Sequence, residues 1–374
     1  MKYLDYPCIH ELGAKQSLKQ LLAEHHKTAQ ELFLTQKSGV PLWFNLTPGL
    51  LRLLSTIDEY QGFLRLQNLP KKLISSEMGL PTRSEAYYSS RIEGAVTSID
   101  EAFGHMDSKQ NSFADESMQM IQNNKRGIDF LWKNSAKAID HKLMHALHKL
   151  LVFNTHKERP ITVGAYRKGT IYVVNGRGEI IYEGPKFEMV PQLMDDYIKW
   201  VNNTHGSIHP FVKSAVAHFY FVHVHPYDDG NGRSTRALAH LVLYKDGYDI
   251  TKLIAPSLYI EKHRSDYYRA IQDVRAHEGD LTYFLIYIAQ AFVSEMGRLV
   301  ASLSSPSSGW QANARQAKAL AYARKQQQPL TTQVYMKINR CSDELARRDF
   351  NGMLEAGVLV AQGQGRARKY TLKS

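Results

Sequence analysis

The sequence predicts a mainly α-helical protein in which one β-hairpin interrupts the helical body and a small basic unit follows at the C-terminus. Three observations carry this expectation. Over most of the first 300 residues apolar side chains recur at three- and four-residue spacing, as in Leu18, Leu21 and Leu22 or Met118 and Ile121, the period of one helix face. Two β-rich runs, Thr170-Ile171-Tyr172-Val173-Val174 and Glu179-Ile180-Ile181-Tyr182, flank Asn175-Gly176-Arg177-Gly178, and an Asn-Gly turn joins such runs into a hairpin. Between Ser304 and Asn313, Ser, Pro and Gly accumulate before the composition changes, which marks the main domain boundary. A second polar link lies at Asp107 to Ser112 and Asp115.

Composition narrows the function classes. A chain of 374 residues with 43% hydrophobic and 22% charged side chains buries two or more sizeable cores, which excludes disordered and collagen-like architectures. The two cysteines, Cys8 and Cys341, have no spacing suited to a disulfide framework or a zinc finger, so a reducing compartment is expected. Met1 to Pro7 lacks the apolar core of a secretory signal, and a cytoplasmic location follows as the expectation. Leu281 to Val293 is apolar but contains Thr282 and Gln290 and is bounded by Asp280 and Glu295; it reads as a buried core helix too short for a bilayer, and no membrane partner is expected. The formal charge of +11 favours partners that bear phosphate.

Most of that charge is local. From Gln311 to Ser374 there are twelve Lys/Arg against four Asp/Glu, a net +8. Arg315 to Gln326 reads as a helix, a short helix follows from Thr331, a turn lies near Asn339 to Ser342, and a third helix runs from Asp343 to Ala356, ended by Gly357. Val358-Leu359-Val360 and Ala367 to Leu372 then flank a Gly363-Gln364-Gly365-Arg366 turn. Three helices and a two-stranded wing are the order of a winged helix-turn-helix, with Ser342 capping the third helix and Leu345, Phe350 and Leu354 turned to its core. Arg347, Arg348, Arg366, Arg368 and Lys369 are the candidates for phosphate contacts to DNA or other nucleic acid. The same architecture also serves as a packing or dimerising module, so a homodimer stays open beside nucleic-acid binding.

The chemistry concentrates between two predicted helices. Val212, Ala215, Val216, Phe219 and Val222 follow helical spacing up to His225-Pro226, where the proline stops or bends the helix. Tyr227-Asp228-Asp229-Gly230-Asn231-Gly232-Arg233-Ser234-Thr235-Arg236 follows, opening a second helix that runs through Leu243 and stops near Gly247. Gly230-Asn231-Gly232 lets backbone N–H groups approach a ligand, and the next helix aims its positive end at the same place, so anion binding follows physically. Arg233 and Arg236 add two guanidinium forks, Asp229 supplies an oxygen ligand for Mg²⁺, and His225 takes a proton near neutral pH.

Taken together, these residues resemble the motif of the Fic family, His-Pro-Phe-x-(Asp/Glu)-Gly-Asn-Gly-Arg-x-x-Arg. Eight strongly specified positions agree; Tyr227 departs, standing where the family most often has phenylalanine, and its hydroxyl requires space or a partner. The resemblance covers about Met1 to Ser302. It implies an all-helical Fic core (the Fido fold) at 111–302 with the hairpin as its flap, and an N-terminal helical region at 1–110; the composition and element order above place a linker at 303–313 and the winged helix-turn-helix at 314–374. Ser89-Ser90-Arg91-Ile92-Glu93-Gly94, on a helix expected to begin near Thr82 or Ser84 and to end at Gly94, resembles the family's inhibitory motif, with Ser89 and Glu93 on one face.

The activity implied by the resemblance is transfer of AMP from ATP to a Ser, Thr or Tyr hydroxyl of a target protein, the chain itself included. His225 would deprotonate that hydroxyl and Asp229 would hold Mg²⁺. Asn231 with the Gly230 and Gly232 amides would stabilise the α-phosphate, while Arg233 and Arg236 would clamp the outer phosphates. Tyr267 and Tyr268 resemble the aromatic pair of the adenine pocket, and Thr170, Ile171, Tyr172 and Val173 belong to the flap that holds the target segment by strand addition. Glu93 would pair with Arg236 and obstruct the γ-phosphate; in some family members the equivalent glutamate instead positions a water that removes AMP. Two rivals belong to other classes: a nucleotide-sensing DNA-binding regulator without turnover, and a metal hydrolase using His223, His225 and Asp228 or Asp229. The second is disfavoured because side chains two apart diverge around a helix.

Overall fold

The computed structural model describes residues 18–66, 79–106, 110, 112–155, 161–174, 177–203, 206–304, 312–326, 328–355, 358–363 and 368–372. The chain divides into two compact units, Met1–Gly297 and Arg298–Ser374.

The first unit is built on a helix that is buried nearly all round. This helix, α8 (Pro210–Val224), buries nearly every side chain from Phe211 to Val224, the signature of a central core element. Before it come α1 (Leu18–His26), β1 (Gln30–Thr35), β2 (Pro41–Phe44), α2 (Pro48–Leu66), α3 (Gly79–Ile92), α4 (Ile99–His105), α5 (Glu116–Lys133), α6 (His141–Leu151), β3 (Tyr172–Val174), β4 (Ile180–Glu183) and α7 (Val190–Asn203). After it come α9 (Asn231–Lys245), α10 (Ser257–Lys262), α11 (Arg264–Ala276) and α12 (Thr282–Ser304). Helix α9 packs along α8, α3 packs on α5 and α10, and α5 packs on α6. The α5–α6 approach depends on Gly127, where a Cβ would meet Leu151 Cδ2 at 2.9 Å.

Side-chain caps set the helix starts that face the site. Asp115 accepts from the Ser117 and Met118 amides to begin α5, and Asp140 accepts from Leu143 N–H to begin α6, each satisfying donors that have no intrahelical partner. The end of α3 is closed by backbone alone. Gly94, at φ +100°, places its N–H 3.0 Å from Arg91 O and the Ala95 N–H 3.0 Å from Ser90 O, a Schellman motif that leaves Glu93 as the last residue of the helix end.

Four expectations need correction. Helix α3 is already under way at Gly79, ahead of Thr82, because Pro81 falls in the first turn, where a missing N–H costs nothing. A hairpin that the helical periodicity hid, β1 with β2, pairs Gln30 with Phe44; Leu32 and Leu34 point inward and Phe33 outward, the alternation of a half-buried strand. The flap strands begin at Tyr172, so Thr170 and Ile171 precede them, and the flap's Asn175-Gly176 turn lies outside the described residues. Helix α12 extends through 23 residues to Ser304, since nothing at Ser294-Glu295 breaks a helix. By length and composition it is long and apolar enough to cross a membrane, yet Phe284, Leu285, Ile286 and Tyr287 are fully buried in protein.

The second unit contains α13 (Ala314–Gln326), α14 (Thr332–Asn339), α15 (Asp343–Glu355), β5 (Leu359–Gln362) and β6 (Lys369–Leu372), the order of elements expected from the sequence. Thr331 caps α14 through Val334 N–H, and Ser342 Oγ accepts from Leu345 N–H at the start of α15. The core gathers Leu320, Leu330, Tyr335, Ala346, Phe350, Met353, Leu359 and Tyr370, with the Phe350 and Tyr370 rings stacked at 3.8 Å. Leu345 and Leu354 are only half-buried, and Ala346 and Met353 take the inward places expected of them. Buried Asp349 ties the unit together, accepting from Arg315 Nε at 2.8 Å, Asn313 Nδ2 at 2.8 Å and Tyr335 OH at 2.9 Å. Burial alone would raise its carboxyl, but these hydrogen bonds outweigh that and hold it below the usual range.

Burial of histidines around α8 gives the fold an acid limit. Desolvation holds His148 at a pKa of about 4 and His218 and His223 at about 3, so all three are neutral when folded and take up a proton on unfolding at any pH between those values and about 6.5. Unfolding therefore becomes easier as pH falls through 6.5, by up to about 1.4 kcal/mol per pH unit for each histidine, and these groups add no pH dependence above 7. Calorimetric unfolding temperatures are expected to be level from pH 8 to 7 and to fall progressively from 6.5 to 4.5, with a shallower fall in His218→Gln.

Candidate active site

The site forms where α8 stops. His225 takes a left-handed conformation, φ 50°, as the C-cap of α8, which turns the chain sharply into Pro226. Buried Arg167 secures that turn: Nε donates to His225 O at 2.8 Å, Nη2 to Pro185 O at 2.6 Å, and Nη1 to Gly169 O at 2.7 Å. One guanidinium thus joins the end of α8 to both sides of the flap base. Asn231 closes the loop from within, accepting from Tyr227 N–H at 2.9 Å and donating to Tyr227 O at 2.8 Å. Gly230, at φ 75° and without a capping side chain, starts α9.

Tyr227 is completely buried, and its hydroxyl has the partner that this position requires. His145 Nδ1 lies 3.0 Å from it, and the His148 ring stacks on the tyrosine ring at 3.9 Å. His148 in turn receives Gly164 N–H on Nδ1 at 3.0 Å and meets Asp229 O through Nε2 at 3.1 Å. A carbonyl only accepts, so Nε2 carries the proton, in keeping with the neutral ring.

A cavity of about 300 Å³ opens between this loop, the flap and α11, within the size range of small-molecule sites. Its walls include Glu93, His225, Asp228, Gly232, Arg236, Tyr267 and Tyr268, the flap residues Ile171, Tyr172, Val173, Val174 and Ile181, and Ile271, Gln272 and Arg275 from one face of α11. His225 Nδ1 is 3.3 Å from Val222 O; because the carbonyl can only accept, Nδ1 is the protonated nitrogen and Nε2 keeps its lone pair. Burial is the main cause that lowers the His225 pKa to about 4, so the ring is a neutral base at pH 7.

Arg236 is held by α3. Its Nε donates to Ser89 Oγ, and its Nη2 donates to Ser89 O and to Glu93 Oε1, each at 2.8 Å. Burial alone would lower this guanidinium's pKa; the Glu93 carboxylate outweighs burial and holds it above its ordinary value. Glu93 also lies over the first turn of α9: a Cβ added at Gly232 would come within 2.0 Å of Glu93 Oε1. The carboxylate therefore occupies the space at a helix N-terminus, where an anion is most favoured. A second acid of α3, buried Glu85, accepts from the Ser257 amide at 3.1 Å and stands 3.8 Å from His240 Nε2, fixing the same helix about two turns before Glu93.

Several sequence-predicted residues play other parts. Arg233 does not line the cavity; its buried guanidinium donates to Leu151 O at 2.9 Å and to Asp229 Oδ2 at 2.7 Å, because a side chain at that position of α9 faces α6 instead of the flap. Asn231 is spent on the loop in the same way. Asp228 supplies the carboxylate on the cavity wall and accepts from Thr162 N–H at 2.8 Å. Tyr267 is buried with its hydroxyl 2.8 Å from His218 Nε2, and the more exposed ring is Tyr268. Thr170 is exposed and outside the cavity wall. His223, two residues before His225, is engaged at both ring nitrogens, by Lys37 N–H and by Tyr182 OH, each at 3.2 Å. In the second unit Arg347, Arg348, Arg368 and Lys369 are exposed, with Arg347 paired to Asp343 at 2.8 Å; Arg366 lies outside the described residues.

Sequence reasoning missed Arg167, His148 and Arg275, and named Asp228 only as a ligand of the disfavoured metal site. Arg275 alone had a usable signal: Tyr268, Ile271, Gln272 and Arg275 follow the spacing of one helix face.

Replacing Tyr227 by phenylalanine removes only the bond to His145. Thermal unfolding of Tyr227→Phe is expected to show a loss of about 0.5–1.5 kcal/mol, whereas Tyr227→Ala, which empties a buried ring site, is expected to lose about 3–5 kcal/mol.

Residues 138–243 match the sequence profile of the Fic/DOC family. The protein adenylyltransferase Fic of Drosophila melanogaster is 36% identical over 131 residues, 35% of this chain and 24% of that protein. Its counterpart in Drosophila virilis is 29% identical over 211 residues, 54% of this chain and 39% of the relative. The chain thus matches between about a quarter and two fifths of the length of these relatives. Among solved structures, a Fic family protein from Desulfovibrio desulfuricans G20 superposes with a TM-score of 0.60 at 22% identity, covering 88% of this chain and 97% of the other. Fic-1 from C. elegans (residues 134–508) gives 0.55 at 20% identity, covering 68% and 72%. Residues 138–243 thus carry a Fic/DOC segment, and the fold is shared with a Fic family protein along most of the chain.

Proposed function

We propose that this protein is an adenylyltransferase that moves AMP from ATP to a side-chain hydroxyl of a protein, and that Glu93 restrains it. One observation carries the reading: a neutral His225, the N-terminal turn of α9 at Gly232, and Arg236 line a single cavity roofed by the flap. A hydroxyl presented beneath the flap gives its proton to His225 Nε2 as its oxygen attacks the α-phosphorus. The bond from that phosphorus to the bridging oxygen breaks, and pyrophosphate leaves with the electron pair. General-base assistance of this kind is worth about 10²–10⁴-fold, and amides at the start of α9 stabilise charge on the phosphate as it is attacked.

Arg236 is suited to the outer phosphates once released from Glu93. Arg233 orients Asp229, so its contribution is to position an acid. The donors fit Mg²⁺ that is shared with phosphate: Asp228 lines the cavity and Asp229 follows it in the chain, held by Arg233, both hard oxygen ligands, and among the described residues no group of three or more His, Cys, Asp or Glu would cage an ion alone. Bound there through Asp229, Mg²⁺ would neutralise phosphate charge. The exposed Tyr172, Val174 and Ile180 of the flap suit an extended target segment, held by main-chain pairing with little regard to its sequence. The exposed arginines of the second unit support a winged-helix surface for nucleic acid.

The test uses ATP labelled at the α-phosphate with Mg²⁺ and follows label on protein. Glu93→Gly is expected to raise labelling of itself or of lysate proteins by roughly 5–150-fold, the usual range of a coupling between sites. Adding His225→Ala is expected to abolish it, by about 10²–10⁴-fold. Absence of label in every variant overturns the transferase reading. Wild type that removes AMP from a pre-labelled protein, with Glu93→Gly unable to do so, assigns Glu93 to the reverse reaction.

A further inference from the structure

Gln272 is the cavity residue that the assignment above leaves without work. It lies on the face of α11 that also brings Tyr268, Ile271 and Arg275 to the cavity wall, and its polar neighbours there are engaged or closed off. Tyr268 places its hydroxyl 3.4 Å from Ile92 O, and Arg275 stacks on the Tyr182 ring at 3.3 Å with Nε and Nη2 sealed from solvent. Gln272 is half-buried, and its amide makes no hydrogen bond to the described residues and is not sealed by them. Its donor and its acceptor are therefore both open to a ligand. Because Cα–Cβ bonds tilt toward the start of a helix, the side chain leans back along this face toward Tyr268.

The surroundings select the part of a nucleotide that meets it. Glu93, His225, Asp228 and Arg236, the groups suited to the phosphates, come from α3, α9 and the loop that joins α8 to α9. Gln272 comes from α11 beside Ile271, and the flap adds Ile171, Val173 and Ile181 to the same cavity. A ribose carries hydroxyls around its ring and would leave several unpaired against such walls. A base has two apolar faces and a polar edge, which matches aliphatic walls that bear one side-chain amide. That amide sets a donor beside an acceptor. Adenine offers the complement, with N6–H donating and N7 accepting, whereas the same edge of guanine carries two acceptors, O6 and N7, and leaves the glutamine oxygen facing a lone pair.

We infer that Gln272 selects the base: Oε1 accepts from N6–H of adenine and Nε2 donates to N7, while Ile271 and the aliphatic side chains of the flap cover the faces of the ring. The inference rests on the nucleotide reading of the cavity and adds to it a specificity-determining residue. Choice of nucleotide then belongs to α11, and the chemistry belongs to the loop between α8 and α9.

Full-length wild type and Gln272→Leu, which keeps the bulk and removes both polar atoms, should be titrated with four monophosphates: AMP, GMP, 7-deaza-AMP, in which N7 is replaced by carbon, and purine riboside 5′-monophosphate, which lacks the N6 amino group. Each carries a single phosphate, so the Glu93–Arg236 pair acts on all of them alike. Wild type is expected to bind AMP about 10- to 100-fold more tightly than GMP, and about 2- to 10-fold more tightly than either analogue, the worth of one hydrogen bond. Gln272→Leu is expected to bind AMP about 10- to 100-fold more weakly than wild type does and to hold all four ligands with similar affinity. Equal weakening of AMP and both analogues in Gln272→Leu, unchanged AMP affinity, or a wild type that does not distinguish AMP from the analogues overturns the inference and leaves the nucleotide site standing. Wild type that binds none of the four overturns the nucleotide reading and the inference together.

Discussion

The C-terminal end of α8 is buried, and that single constraint organises the site. The last carbonyls of a helix need donors, and in the interior water does not supply them. Arg167 does so, reaching His225 O and Val224 O while the same guanidinium holds Gly169 and Pro185. Solving the carbonyl problem with one planar fork has a structural by-product. The base is locked at a fixed angle, and the flap that covers it is tied to the same five-donor group. Lys37 adds a brace from the β1–β2 turn, donating through Nζ to Glu183 O at 3.0 Å and through its amide to His223 Nε2.

Around that fixed point the charges sort themselves by what each can reach. Arg233 and Arg236 sit three apart on α9, yet one faces α6 and the other α3, so the first is consumed in holding Asp229 and the second meets the helix end at Glu93. Glu93 arrives there because Gly94 closes α3 with its own backbone, leaving no capping side chain to compete for Arg236. His218, close to Arg236, stays neutral, since burial and like charge act in the same direction on it.

Much of this was legible in the residues. The apolar run into His225-Pro226, the glycines that free the loop, and Gly94 as a helix stop are local signals, decided within a few residues by sterics and hydrogen bonding. The three helices and hairpin of the second unit were equally local. The roles of Arg233, Asn231 and Tyr267 were not, because each depends on which neighbour the folded chain brings alongside: α6 for Arg233, the Tyr227 backbone for Asn231, His218 for Tyr267. The β1–β2 hairpin escaped because Leu32 and Leu34 are too short a run to outweigh the helical pattern on both sides. The partner of Tyr227 lies eighty-two positions away in sequence, and no spacing rule reaches that far.

Gly232 gives the arrangement a further property. The volume a side chain would occupy at that position is already filled by the carboxylate of Glu93, so the two positions compete for one space: with a hydrogen alone at 232, the carboxylate at 93 keeps its place. Their effects on stability are therefore non-additive by construction. Substitution of either residue is conditioned on the other, across 138 positions of intervening sequence: a side chain at 232 requires the Glu93 carboxylate to move from its place beside Arg236.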